Sequence, residues 1–258
     1  MKISFNKYQG AGNDFIIIDN RKNVVDPNDE DFINKLCDRR FGIGADGLIL
    51  ISDNSESDFE MKYFNSDGKL GSMCGNGGRC AAHFSRKHNI AGDMQKFLAF
   101  DGFHEASVNK GIVRLQMSDV NTYRLIKNQY FLNTGSPHYV VFTEGVEKMD
   151  VFNEGKKLRW ATEFAPGGTN VNFVEIIDNT LYLRTFERGV EDETLACGTG
   201  ITASAIASVL SGRFASAPVN VKARGGDLVV DFKVNDGKVT DIWLTGPATF
   251  VFDGLIEK

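Results

Sequence analysis

The chain has 258 residues, 42% hydrophobic and 24% charged, with 27 Gly against 5 Pro, which excludes a disordered polymer and suffices for two domains of about 125 residues. A net charge of −5, with no run of like charge and no aromatic-basic patch, argues against nucleic acid and against an anionic membrane, and favours a small-molecule partner. No apolar stretch approaches the roughly 18 residues of a spanning helix, the start Met1-Lys2-Ile3-Ser4-Phe5-Asn6 lacks a signal-peptide centre, and four irregularly spaced cysteines suit a reducing compartment, so a cytoplasmic protein with thiols is expected.

In chain order, apolar alternation or continuous apolar runs predict strands near 3–8, 14–19, 47–52 and 58–64, then near 112–117, 138–143, 171–177, 180–186, 219–224, 227–233, 239–244 and 248–253. Asp26-Pro27 is expected to open a first helix whose Phe32, Ile33 and Leu36 share a face, with Gly42 closing it. A second helix is expected from near Gly77 through Arg79-Cys80-Ala81-Ala82, and a third from about Thr199 to Gly212. Each of these two follows a Cys-Gly-X-Gly.

The two motifs belong to a repeat. Cys74-Gly75-Asn76-Gly77 and Cys197-Gly198-Thr199-Gly200 lie 123 residues apart (197 − 74), as do Gly12-Asn13 and Gly135-Ser136 (135 − 12), and Gly44-Ala45-Asp46-Gly47 and Gly167-Gly168-Thr169-Asn170 (167 − 44). Phe64-Asn65 and Phe186-Glu187 are one residue short of that spacing. Several matches in one order at one offset predict two similar α/β domains, facing one another across a pseudo-two-fold axis with both cysteines lining the cleft.

Cysteines in that setting suit proton transfer at carbon. Deprotonating an amino-acid α-carbon creates an unstable carbanion, which enzymes commonly delocalise into a cofactor, and no cofactor motif is present here. The alternative is to hold the substrate carboxylate against preorganised N–H donors. Helix starts carry such donors and a partial positive charge, so the amides of Gly75, Asn76, Gly198 and Thr199 are expected to converge on one carboxylate. The same field favours thiolate over thiol. With one cysteine on each face of the carbon, a thiolate removes a proton while a thiol delivers another, and the centre inverts.

Cys37 and Cys80 read as packing residues, since neither sits at a glycine-flanked helix start related by the repeat. Cys74-x5-Cys80 is not a zinc-knuckle spacing, so no metal is expected. A thiol redox protein is the alternative from a different class, although Cys-x-x-Cys is absent.

Gly10-Ala11-Gly12-Asn13-Asp14-Phe15, Met73-Cys74-Gly75-Asn76-Gly77-Gly78-Arg79-Cys80 and Glu187-Arg188-Gly189 leading to Ala196-Cys197-Gly198-Thr199-Gly200 resemble the diaminopimelate epimerase family over nearly the whole chain. Proline racemases and hydroxyproline epimerases are similar in fold and cysteine pair but carry His where this chain has Asn76. The resemblance implies an isomerase that interconverts LL- and meso-2,6-diaminopimelate without pyridoxal phosphate or another cofactor, in lysine and peptidoglycan precursor synthesis, working as a homodimer. The implied fold class is α+β, two pseudo-symmetric α/β domains each wrapping strands around a central helix. Their bounds are 1–118 plus 247–258 around Cys74, and 119–246 around Cys197. By motif, Cys74 and Cys197 are the acid and base, donor and acceptor respectively in the LL direction, and Asn13, Asn65, Asn170, Glu187 and Arg188 hold the substrate.

The chemistry of these types agrees, because diaminopimelate has an amino-acid group at both ends. Arg188 offers a planar fork to the second carboxylate and Glu187 accepts from the second ammonium. Adjacent residues of a regular strand point to opposite faces, so both reaching the site requires a strand end or a bulge. Two positions depart from some family members: Gly47 replaces a Gln, removing a contact, and Ser136 replaces an Asn before Pro137-His138, retaining a hydroxyl. His138 is a candidate to orient a cysteine or exchange its proton.

Overall fold

The computed structural model describes residues 2–257. The chain divides into two units, Met1–Leu115 with Gly246–Lys258, and Gln116–Thr245. The first begins with β1 (Lys2–Gly10), β2 (Asn13–Asp19), α1 (Glu30–Cys37), β3 (Gly47–Ser52), β4 (Phe59–Asn65), α2 (Gly75–Lys87), β5 (Met94–Ala99), β6 (Gly102–Asn109) and β7 (Ile112–Met117). β1 pairs antiparallel with β2, β2 parallel with β3, β3 antiparallel with β4 and β4 parallel with β5; β6 continues antiparallel to β5 and to β7.

β2 and β3 read as unbroken apolar runs because both their faces are covered. Ile16, Ile18, Leu48, Leu50 and Phe64 face α1 and join Ile33, Leu36 and Cys37 in one core. Phe15, Ile49 and Met61 are buried on the opposite face, where Gly77 of α2 sits close enough to Ile49 and Met61 that a methyl group there would contact both at 3.3 Å. α1 starts three residues later than Pro27 predicts: Asp29 caps it by accepting from the Phe32 N–H, while Asp26 closes a preceding turn with the N–H groups of Asn28 and Asp29. It also ends at Cys37, and Gly42 packs back on its last carbonyls instead of terminating it.

The second unit contains β8 (Tyr123–Ile126), β9 (Gln129–Asn133), β10 (Pro137–Phe142), α3 (Val151–Arg159), β11 (Asn170–Ile177), β12 (Thr180–Glu187), β13 (Asp192–Thr194), α4 (Gly198–Leu210), β14 (Val219–Ala223), β15 (Gly226–Asn235) and β16 (Lys238–Pro247). The chain then returns to the first unit as β17 (Thr249–Glu257), antiparallel to β1.

The duplication extends to the main strand pairings. β10–β11 is parallel, β11–β12 antiparallel, β12–β14 parallel, and β14–β15–β16 antiparallel, as in the first unit. Phe15 stands beside Gly47 as His138 stands beside Asn170, at a common offset of 123 (138 − 15 and 170 − 47). The fold is α+β, two copies of one plan. In each, a 13-residue helix, α2 or α4, is packed on several sides by strands of its own unit. α4 is buried continuously from Gly198 to Ser208, and Thr202, Ser204 and Ser208 satisfy their hydroxyls on carbonyls one turn earlier.

Candidate active site

Cys74 and Cys197 are the residues immediately before α2 and α4, with nearly identical extended backbones (φ −110, ψ 117 and φ −112, ψ 110). The helices therefore begin at Gly75 and Gly198, slightly earlier than the periodicity predicts, and the first N–H groups of each helix cluster beside its thiol. The first helical bonds to the cysteine carbonyls come from Gly78 and Ile201.

Around Cys74 the partners are amides. Its Sγ accepts from the Gly77 N–H at 3.4 Å and lies 3.6 Å from Asn13 Oδ1, an atom that can only accept, so the Cys74 S–H donates to it. The Asn13 amide is oriented by its other end, which donates to Asp46 Oδ2 at 2.6 Å. Asp46 in turn binds Arg39 at 2.7 Å, and Arg39 grips Asp14 through both terminal nitrogens. Asn76 donates to Asn13 Oδ1 at 3.4 Å and accepts from the fully buried Arg79 at 3.0 Å. Arg79 also donates to the carbonyls of Gly75 and Pro247. Asp46 and Arg39 carry no motif of their own, since they act one and two hydrogen bonds away from Asn13.

Around Cys197 the partners are hydroxyls and an imidazole. Thr185 donates to Asn172 Oδ1 at 2.9 Å, which turns the Asn172 NH2 toward His138 Nδ1 at 3.0 Å. His138 Nδ1 thus accepts, and Nε2 carries the proton and donates to Thr199 Oγ1 at 2.8 Å. The Thr199 hydroxyl, having accepted from His138, lies 3.3 Å from Cys197 Sγ with its own proton free to point there. His138 is wholly buried; loss of hydration, helped by the nearby Arg188 charge, lowers its pKa to about 3, so the ring is neutral and holds one proton. Asn172 and Thr185 lie two residues along their strands from Asn170 and Glu187, and strand alternation places them on the same face.

The remaining expected residues lie at strand ends. Asn65 ends β4 opposite Gly47. Asn170 opens β11, donating to Ser136 Oγ at 2.8 Å and accepting from the Arg188 N–H at 2.8 Å, so Ser136 engages Asn170 through its hydroxyl. Glu187 is the last residue of β12 and accepts from Thr194 at 2.7 Å, and Arg188 lies just beyond that strand end. Cys37 and Cys80 are buried thiols, each pushed up to about 12 mainly by desolvation, and have the character of packing residues. Among the described residues, no cluster of His, Cys, Asp and Glu is arranged to hold a metal ion, and no helix is long and apolar enough to cross a membrane.

Known proteins share this plan. The family model for diaminopimelate epimerase matches residues 5–122 and 130–251. A diaminopimelate epimerase of Flavobacterium psychrophilum is 49% identical over 97% of this chain and 98% of its own length, and one of Aquifex aeolicus is 42% identical over 99% and 98%. Among solved structures, a Bacillus anthracis phenazine biosynthesis protein of the PhzF family superposes with a TM-score of 0.79 at 13% identity, each chain wholly covered. A probable proline racemase from Agrobacterium radiobacter superposes at 0.72, also at 13% identity, over 99% and 93% of the two chains. At such identities these likenesses establish the fold alone, whereas the full-length sequence relatives and the family match establish that this chain belongs to the diaminopimelate epimerase family.

Proposed function

We propose that the protein interconverts LL- and meso-2,6-diaminopimelate by a two-base mechanism without pyridoxal phosphate, with Cys74 as proton donor and Cys197 as proton acceptor in the LL direction. The observation that carries the mechanism is the opposite polarity of two otherwise equivalent helix starts. Cys74 Sγ faces the accept-only Asn13 Oδ1, whereas Cys197 Sγ faces the Thr199 hydroxyl, which already accepts from His138 at the end of the Thr185, Asn172, His138 chain. The first arrangement suits a thiol and the second a thiolate.

In the reaction, the Cys197 thiolate takes the α-proton and becomes a thiol, while the electron pair delocalises toward the substrate carboxylate, held by the helix-start N–H groups beside Gly75, Asn76, Gly198 and Thr199. Cys74 then delivers its proton to the opposite face and becomes the thiolate; the reverse reaction runs from that state. Asn13, Asn65, Asn170, Glu187 and Arg188 hold the substrate, the last two reading the second amino-acid group. Family resemblance further supports a homodimer acting in the cytoplasm.

The test is incubation in D2O with LL-diaminopimelate and, separately, with proline or hydroxyproline. Deuterium entering the diaminopimelate α-carbon with formation of the meso isomer is the expected result. Exchange confined to proline or hydroxyproline overturns the substrate assignment, and no exchange in any of them overturns the enzymatic one.

A further inference from the structure

The repeat relates Gly47 to Asn170 (170 − 47 = 123) and, past the one-residue insertion, Tyr63 to Thr185 (185 − 63 = 122). The register agrees in both halves: Gly47 sits beside Phe15 as Asn170 sits beside His138, and Ile49 opposes Tyr63 as Asn172 opposes Thr185. Side-chain size has been exchanged between the paired positions. The second unit has a side chain at 170 and a short residue at 185; the first has no side chain at 47 and a tyrosine at 63.

Tyr63 occupies the space that Gly47 leaves. A Cβ built on Gly47 would lie 2.5 Å from Tyr63 Cε2 and 3.0 Å from its hydroxyl. The opposite edge of the ring lies against Gly71, where a Cβ would come within 2.6 Å of Tyr63 Cδ1 and 3.3 Å of the Asn65 amide nitrogen. The Gly71 N–H also bonds to the Tyr63 carbonyl, which ties this strand to the segment leading into Cys74. Phe15 meets the ring edge-on at 5.9 Å. Two glycines and a phenylalanine therefore hold a half-buried phenol in the row that contains Asn13 and Asn65.

We propose that Tyr63 is a substrate-contact residue of the first unit, its hydroxyl replacing the missing side chain at Gly47 and binding a polar group at the end of the substrate that does not react. The reacting carboxylate is assigned to helix-start N–H groups, whereas the phenol belongs to the sheet row. A phenol can donate to a carboxylate or accept from an ammonium. The inference rests on the proposed function, since it assigns a contact within that same site.

The experiment compares Tyr63→Phe, Tyr63→Ala and the double variant Tyr63→Ala with Gly47→Asn. Steady-state kinetics on LL-diaminopimelate are read beside thermal melting and the rate of Cys74 alkylation by iodoacetamide. Tyr63→Phe should raise KM on the order of tenfold, the loss of one hydrogen bond to a charged group, with kcat within about twofold and alkylation unchanged. The double variant should recover part of the KM lost in Tyr63→Ala, because an amide at 47 then enters the vacated space. A Tyr63→Phe enzyme with wild-type KM, or a double variant no better than Tyr63→Ala, overturns the assignment while leaving the proposed function standing. A wild-type protein that does not convert diaminopimelate overturns both.

Discussion

The two halves keep one backbone plan and differ in the layer beneath their cysteines. In the second unit that layer is polar: Ser136, His138, Asn170, Asn172, Thr185, Glu187 and Thr199. The equivalent positions of the first are Asn13, Phe15, Gly47, Ile49, Tyr63, Asn65 and Asn76, with the apolar Phe15 and Ile49 where the second has its imidazole and amide. The first unit instead builds its polar support sideways, through Asp46, Arg39 and the Lys7–Asp14 ion pair. Duplication supplied two equivalent helix starts, and divergence of the layer below gave their cysteines different hydrogen-bond partners.

The largest effect that sharpens this comparison is loss of either thiol. Cys74→Ala and Cys197→Ala should each lower turnover by about 10³-fold or more with the fold retained. Substantial activity in one of them, measured by formation of the second isomer, would show that a single base suffices.

Acid should separate the halves next. A buried histidine with a lowered pKa keeps its stabilising contribution above the unfolded value near 6.5 and loses it as pH falls toward about 3, because the unfolded chain binds the extra proton. Denaturant unfolding at pH 5 should show about 2 kcal/mol less stability than at pH 7 from this group, and His138→Gln should flatten the slope. Asp14 loses its contribution in the same direction but over a lower window. Burial alone would raise its pKa, but the hydrogen bonds from Arg39 and Lys7 win and hold it at about 2, so its contribution is intact above about 4 and fades only as pH falls toward 2. Equal stability at pH 5 and 7 would break the contrast.

Thr199→Val keeps the side-chain shape and removes the hydroxyl beside Cys197; kcat should fall about tenfold, roughly 1.4 kcal/mol. The smallest effect belongs to Asp46→Asn. It weakens a charge-assisted bond to Asn13 without deleting it, and should lower kcat about threefold. If Asp46→Asn costs more than Thr199→Val, the support of Cys74 is the more demanding of the two.

Much of this was legible in the chain. The offset of 123 locates both cysteines, both helix starts and the strands on either side, because the motifs are glycine-rich and those glycines are held either by positive φ, as at Gly12 and Gly135, or by close approach, as at Gly77 and Gly200. β5, β6, β8, β9, β13 and α3 were not foreseen. β8 and β9 join through Lys127-Asn128, both at positive φ, without the Asn-Gly or Asp-Gly pair that signals such a turn. β13 is too short to show a period. α3 has a glycine at its centre, which lowers helix propensity; Gly155 is needed there because a Cβ would lie 2.3 Å from Phe186. The relay through Asn172 and Thr185 required knowing that two strands pair in register, a long-range fact that no local pattern carries.

The return of β17 to β1 bears on how the protein is made. In the second unit the equivalent outer pair, β8 with β9, is a local hairpin closed by a two-residue turn, so that unit is contiguous from Gln116 to Thr245. In the first unit the same pair joins Lys2 to Glu257 and must wait for the last strand to leave the ribosome. The buried Arg79, which donates to Pro247, waits with it. The Cys74 half therefore cannot close until the strand that follows the Cys197 half has been made, even though Cys74 is made first.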